Sequence, residues 1–228
     1  MRRVIGVLVR PRATMAEVVS NPALITAWVA ILLIATAGSG WFLSTNVGRQ
    51  ALVDERVRVV EALGGRVDDA AYAAWQADPP VLMFLTSGGR LQLMPPVTLA
   101  VALGLMALGA AGGHRIRIGV ALAVAVHASV ALCVQQIVST PLHYVRESLT
   151  SPTTLAGLMS GLEAGSWPAR WLGSIDLFGL WWIWLLALGL AAATGTPARR
   201  HLVGLLGVYL GTAALVATVF AVMGSGAA

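Results

Sequence analysis

The chain has 228 residues, 57% of them hydrophobic and only 11% charged, with a mean hydropathy of +0.80. Soluble domains carry charge on about a quarter of their residues, so this composition excludes an ordinary soluble globule. The net charge of +5 comes from arginine without any lysine, and no aromatic–basic strip accompanies it, which argues against nucleic-acid binding. Arginine without lysine, beside abundant Ala, Gly and Val, points to a GC-rich bacterial genome.

Residues 1–22 read as a cytoplasmic amphipathic prelude. Val4, Ile5, Leu8 and Val9 recur at helical spacing beside Arg2, Arg3, Arg10 and Arg12, as in a segment lying on a membrane surface. A plain flank to the first span is the other reading. Pro11 interrupts the pattern, and Thr14 is placed to cap a second turn that contains Glu17 and ends before Asn21-Pro22. The apolar block from Ala23 is too long for a signal-peptide core, so the first span is expected to stay as an anchor.

Residues 23–224 read as an all-α membrane domain of five transmembrane helices. Their apolar blocks approach the roughly 20 residues that a helix needs to cross a bilayer. The first span covers about 24–43, with Trp28 and Trp41 near its ends as interface anchors. An outer loop, 44–94, follows. In it Leu52, Val53, Val57, Val60 and Leu63 alternate with charges as an amphipathic helix ending at Gly64-Gly65. A second short helix is predicted over Asp68–Gln76, before Asp78-Pro79-Pro80. The second span, about 95–112, opens on Pro95-Pro96, where missing N–H donors cost least. A tight turn bearing Arg115 and Arg117 leads into the third span, about 118–138. The outer loop 139–174 holds Pro141, Pro152 and Pro168, with one short helix predicted near 153–162. The fourth span is about 175–193, a turn carries Pro197, Arg199 and Arg200, and the fifth is about 202–222. Ala107-Leu108-Gly109 and Ala187-Leu188-Gly189 occupy equivalent places, which admits a parallel repeat of two helical hairpins.

Charge sets the orientation. Arg2, Arg3, Arg10, Arg12, Arg115, Arg117, Arg199 and Arg200 fall on one predicted side with Glu17 alone, giving 8 − 1 = +7. The other side carries seven arginines and nine acids, or −2, and the two sum to +5. The positive-inside rule therefore places the N-terminus in the cytoplasm and the C-terminus outside, in a cell inner (plasma) membrane. The eight arginines are candidate contacts to anionic lipid headgroups.

Helices in lipid associate through close approach at small residues. Gly204, Gly207, Gly211 and Ala214 form one such stripe, and Ala100, Gly104, Ala107 and Ala111 another. Gly119, Ala123, His127, Ala131 and Gln135 recur in steps of four. These are expected to be inward faces of a bundle, with a homodimer through Gly207-x-x-x-Gly211 as the alternative.

His127 lies near the middle of the third span, where a polar group is costly and faces the interior. It reads either as a neutral imidazole bonded to a neighbouring group or as part of a transport or proton path. Gln135 and Gln136 lie toward the outer end of the same helix, and Asp176 opens the fourth. If Ser174 caps that helix, Asp176 sits in its first turn, where the helix dipole favours an acid. The other reading is a polar intramembrane cluster of His127, Gln135, Gln136 and Asp176, with Arg170 or His143 nearby. Trp167 and Trp171 fit an interface belt, and Trp181, Trp182 and Trp184 fit packing. Cys133 reads as a small buried hydrophobe. The four histidines are too scattered for a metal set, and no nucleophile elbow, Walker loop or H-E-x-x-H is present. No cofactor or catalytic activity is expected.

Three stretches resemble the Yip1-type membrane domain, especially its bacterial members of about this length. They are Arg10-Pro11-Arg12-Ala13-Thr14-Met15 running to Asn21-Pro22, Asp176-Leu177-Phe178 with Trp181, and Leu188-Gly189-Leu190 followed by Thr194-Gly195 before a basic turn. The resemblance covers essentially the whole chain and implies a non-enzymatic membrane protein. Eukaryotic members engage prenylated small GTPases and trafficking factors; their Asp-Leu-Tyr-Gly-Pro motif and long cytosolic N-terminal region have no counterpart here. The expected role is a scaffold or adaptor with a membrane-protein partner. A transporter with a cavity lined by His127, Gln135, Gln136 and Asp176 is the alternative.

Overall fold

The computed structural model describes residues 2–77, 90–159, 161–163 and 165–225. Among them the regular elements are helical, apart from one isolated antiparallel bridge between Thr154 and Asp176. In chain order they are α1 (Arg2–Val9), α2 (Pro11–Ser20), α3 (Ile25–Ser44), α4 (Asn46–Ala62), α5 (Asp69–Ala77) and α6 (Arg90–Ala111). There follow α7 (Ile118–Ala128), α8 (Val130–Arg146), α9 (Leu155–Leu158), α10 (Trp167–Gly173), α11 (Leu177–Thr194) and α12 (Ala198–Ser225). The Pro79-Pro80 stop predicted after the second outer helix lies outside the described residues.

Four stretches are long and apolar enough to cross a membrane: Ile25–Ser44, Ile118–Arg146, Leu177–Thr194 and Ala198–Met223. The described apolar part of α6, Pro95–Ala111, is shorter. At 1.5 Å per residue it reaches about 25 Å, the lower limit for a span. Helix α6 begins at Arg90, so Pro95 and Pro96 lie inside it instead of at its first turn.

The chain divides into two compact units. The first comprises Met1–Ala35, Leu93–Gln135 and Phe178–Tyr209. Its centre is α7, whose Ala and Val side chains from Val120 to Ala128 are nearly all buried. Small side chains let other backbones approach, which is what packs helices in lipid. Helix α2 lies against α7, and α1 packs on both. Val7, Met15 and Val18 of this N-terminal hairpin are fully buried in the same core as Ala123, Val124 and Leu186. Burial of each relative to water contributes about 1.5–3 kcal/mol. The prelude is thus docked by one face, while Ile5, Leu8 and Val9 remain exposed on another. Pro11 opens α2, where its missing N–H is harmless and its φ suits the helix. Thr14 is therefore not a cap, as the sequence suggested; it is buried inside α2 against Gly6.

The membrane-capable stretch predicted over 118–138 is longer, Ile118–Arg146, and is broken. Ser129 separates α7 from α8, and its hydroxyl donates to the Ala125 carbonyl at 3.0 Å, a back-bond that bends helices. Helix α8 then runs through Pro141 to Arg146.

The second unit comprises Thr36–Gln92, Gln136–Leu177 and Leu210–Ala228. Helices α4 and α5, both predicted, are joined by a polar network. The Tyr72 hydroxyl donates to Asp54 Oδ1 at 2.8 Å, and Gln50 Nε2 bonds both at 3.0 and 2.7 Å. The Asp54 bond pushes the Tyr72 phenol up from its ordinary value. Helix α10, absent from the sequence reading, braces on α12: Trp171 Nε1 donates to the Leu210 carbonyl and Trp167 Nε1 to Thr218 Oγ1, at 3.4 and 3.0 Å. The two indoles stack at 5.6 Å.

The expectation for the last helix is corrected. Gly204, Gly207 and Gly211 are exposed, and a Cβ added at any of them would meet nothing within 4 Å. The buried residues of α12 are Leu205, Ala213 and Ala217. Gly104 and Gly119 likewise have open space at the Cβ position, whereas Ala123 is buried. Small-residue periodicity located a flat face but not the side it turns to.

Candidate functional site

His127 is 1% exposed, two residues before the break at Ser129. Nine residues beyond Ile118, it lies roughly 13 Å along α7 from its start. Its Nδ1 donates to the Ala123 carbonyl at 2.8 Å, which leaves Nε2 of the neutral ring as an acceptor.

The N-terminal hairpin brings polar groups to this ring. Arg3 Nε donates to Glu17 Oε1 at 2.9 Å, and its Nη1 donates to the Asn21 carbonyl at 2.7 Å. Arg3, Glu17 and His127 border one cavity of about 240 Å³, together with Arg2 and Thr26. Val4, Ala23 and Ala27 complete its wall. All these residues belong to the first unit. Arg3 was read from sequence as a headgroup contact, and it also clamps the hairpin. The sequence reading missed the pairing with Glu17; opposite charges 14 residues apart on either side of Pro11 are the signal that could have found it.

Arg3 holds the Glu17 carboxyl below its ordinary value of 4.5. A lowered folded-state value stabilises the hairpin fully above 4.5 and loses that contribution as pH falls through the lowered value. Hydrogen exchange of residues 2–20 in detergent, corrected for intrinsic rates, should therefore show less protection near pH 3 than near pH 6. Glu17→Gln should reach the low protection at both. Equal protection of the native chain at both pH values would mean that the ion pair does not hold the hairpin.

The other polar candidates have separate surroundings. Gln136 Nε2 donates to Thr140 Oγ1 at 2.9 Å, and the Thr140 hydroxyl donates back to the Gln136 carbonyl at 2.7 Å. Gln135 is half-buried on the same helix. Asp176 Oδ2 accepts from Ser151 at 2.9 Å and from Thr153 at 2.5 Å. The Leu155 amide bonds the Ile175 carbonyl and the Leu177 amide bonds the Thr153 carbonyl, so the loop before α9 is stitched to the start of α11. Helix α11 begins at Leu177, which puts Asp176 just before its first turn; Ser174 instead ends α10. Arg170 donates to the Gly165 and Phe220 carbonyls. No three His, Cys, Asp or Glu side chains gather at metal-binding range among the described residues.

The model of the Yip1 domain family matches residues 5–221, nearly the whole chain. The chain belongs to the Yip1 domain family. No curated protein and no solved structure matches it. As a Yip1-domain protein with several membrane-capable helices, it is a multi-pass membrane protein that sits in the lipid bilayer.

The charges of this Yip1-domain protein are partitioned between its units. The first holds all eight helix-flanking arginines and Glu17 as its one acid, 8 − 1 = +7. In the second, the described side chains include Arg49, Arg56, Arg58, Arg66, Arg146 and Arg170 against eight acids, 6 − 8 = −2. Arg2, Arg10, Arg12, Arg115, Arg117, Arg199 and Arg200 are exposed, and Arg3 is half-buried.

Proposed function

We propose that this Yip1-domain protein is a non-enzymatic scaffold or adaptor of a cell inner membrane, organising lipids and partner membrane proteins. It crosses the bilayer five times, the stretch 95–112 included, with the N-terminus in the cytoplasm and the C-terminus outside. Residues 1–22 form the cytoplasmic prelude and 23–224 the membrane domain. The observation that carries this reading is the charge partition. Seven exposed arginines at helix ends, with one acid among them, match a cytoplasmic face, and each contributes about 1 kcal/mol beside anionic lipid. The outward stripe of Gly204, Gly207 and Gly211 offers close approach to a partner helix, a second copy of the chain included. Helices α4 and α5 supply an outer surface.

The cavity at His127 favours a second reading, transport of a small molecule, ion or lipid. One experiment separates the two. In a Cys133→Ala background, His127→Cys and Met223→Cys variants are treated in whole cells with a membrane-impermeant maleimide. The scaffold reading expects position 223 to react and 127 to stay unlabelled. Reaction at 127 from outside would replace the scaffold with a transporter, and no reaction at 223, with labelling only after permeabilisation, would overturn the five-span orientation.

A further inference from the structure

The cleft at His127 has the makings of a ligand site. Its volume of about 240 Å³ equals about eight waters' share of liquid, more than is needed to satisfy one buried ring. Its polar groups are of two kinds. The Arg2 guanidinium makes no hydrogen bond or ion pair among the described residues, and Arg3 uses two of its five N–H donors on Glu17 and Asn21. These are donors for an anion. His127, which also lines the cleft, keeps Nε2 as an acceptor, because Nδ1 is committed to Ala123. The charges of Arg2, Arg3 and Glu17 sum to 2 − 1 = +1. A fitting ligand therefore carries one negative charge on oxygen and a hydrogen-bond donor a few ångströms away. Arginine suits the oxygens of a phosphate.

The apolar side of the cleft says how such a group arrives. Val4, Ala23 and Ala27 are part of the lining. Beside them in sequence, Ile5 on α1 and Ile25 and Val29 on α3 are 61%, 72% and 47% exposed. A soluble anion gains nothing from such faces. An acyl chain does.

We propose that this cleft binds the headgroup of a singly anionic phospholipid with a hydroxylated headgroup, of the phosphatidylglycerol kind. Arg2 and Arg3 take the phosphodiester, a headgroup hydroxyl donates to His127 Nε2, and the acyl chains lie along Ile25 and Val29. The proposal deepens the lipid-organising reading and rests on it only for the leaflet. Binding in detergent does not depend on orientation, so the labelling experiment and this one fail independently.

The test uses the purified full chain in detergent, with thermal unfolding and native mass spectrometry. The probes are dioctanoyl-phosphatidylglycerol, dioctanoyl-phosphatidylcholine and sn-glycerol 3-phosphate. Phosphatidylglycerol is expected to raise the melting temperature saturably and to add one lipid mass. Phosphatidylcholine, which lacks both the net charge and the hydroxyl, should bind about tenfold more weakly. Glycerol phosphate should give no shift at the same concentration. Arg2→Gln and His127→Gln should each weaken phosphatidylglycerol by about tenfold, while the control Arg66→Gln, exposed in the second unit and outside the eight helix-flanking arginines, leaves it unchanged. Because Arg2 is exposed, its variant reports even if the His127 variant fails to fold. Equal affinity for the two lipids, or native affinity in Arg2→Gln, would overturn the proposal. Binding of glycerol phosphate as tight as that of the lipid would overturn the lipid assignment in favour of a soluble phosphate.

Discussion

Gly189→Ala is expected to destabilise the protein by about 1–3 kcal/mol, although helix propensity alone predicts the opposite sign. In an exposed helix, alanine is preferred to glycine by about 1 kcal/mol. Gly189 lies within α11, facing α7. A Cβ built there overlaps Val124 Cγ1 and stands 3.0 Å from Val124 Cγ2 and 3.2 Å from its Cβ. Val124 is 2% exposed and β-branched, so leaving its preferred rotamer is costly. Packing should therefore outweigh propensity. Unfolding by SDS titration in mixed micelles measures the loss. The control is Val124→Ala, which opens a small cavity by itself and makes room for the new methyl. Two such contacting sites should be strongly non-additive, with the double variant more stable than Gly189→Ala alone. Additive losses would mean that α7 and α11 do not meet at this point. The same contact supports the cleft, since Val124 and His127 are neighbours one turn apart on α7.

What was legible in the sequence follows from the range of each signal. Apolar blocks and arginine positions are local and dense, so the four membrane-capable helices and the grouping of the helix-flanking arginines could be read residue by residue. Helix α4 was equally legible, because its apolar positions alternate with charge and are closed by Gly64-Gly65. The hairpin was not. Met15 and Val18 are two apolar residues in a weakly amphipathic helix, and nothing local says that their partner is the alanine face of α7, more than a hundred residues on. His127 stood out as a costly residue, yet the groups that share its cavity, Arg3 and Glu17, reach it only through that docking. Asp176 was legible as an acid at a helix start, but its partners Ser151 and Thr153 come from a loop with no periodicity to place them. The glycine stripe on α12 shows the converse limit: a pattern can be regular and still leave its direction open, because lipid and a partner helix both accept a flat apolar face.

The largest single effect is expected at Gly48, where the chain turns out of the first span. Helix α3 ends at Ser44, and Thr45 caps α4 by accepting the Gly48 amide at 3.0 Å while its hydroxyl donates to the Phe42 carbonyl at 2.7 Å. This double bond of one hydroxyl folds the start of α4 back onto the end of α3. Phe42 is 3% exposed, and Ala51, Leu52 and Val53 are buried in the same unit. A Cβ at Gly48 overlaps the Phe42 carbonyl oxygen and stands 3.1 Å from Leu43 Cα. Both obstacles are backbone, so no rotamer change relieves them. Thr45→Ala removes only the cap, which costs about 1 kcal/mol. Gly48→Ala must open the turn, and the expected loss is about 3 kcal/mol or more. Trypsin added outside intact spheroplasts reads the consequence, since α4 carries Arg49, Arg56 and Arg58. Cleavage there should be slow in the native chain, modestly faster in Thr45→Ala and rapid in Gly48→Ala, with cleavage at the helix-flanking arginines, cytoplasmic in the proposed orientation, absent in all three. Equal cleavage of Gly48→Ala and the native chain would mean that α4 leaves the span without this turn. The outer surface assigned to partner binding would then lack the support that fixes its direction.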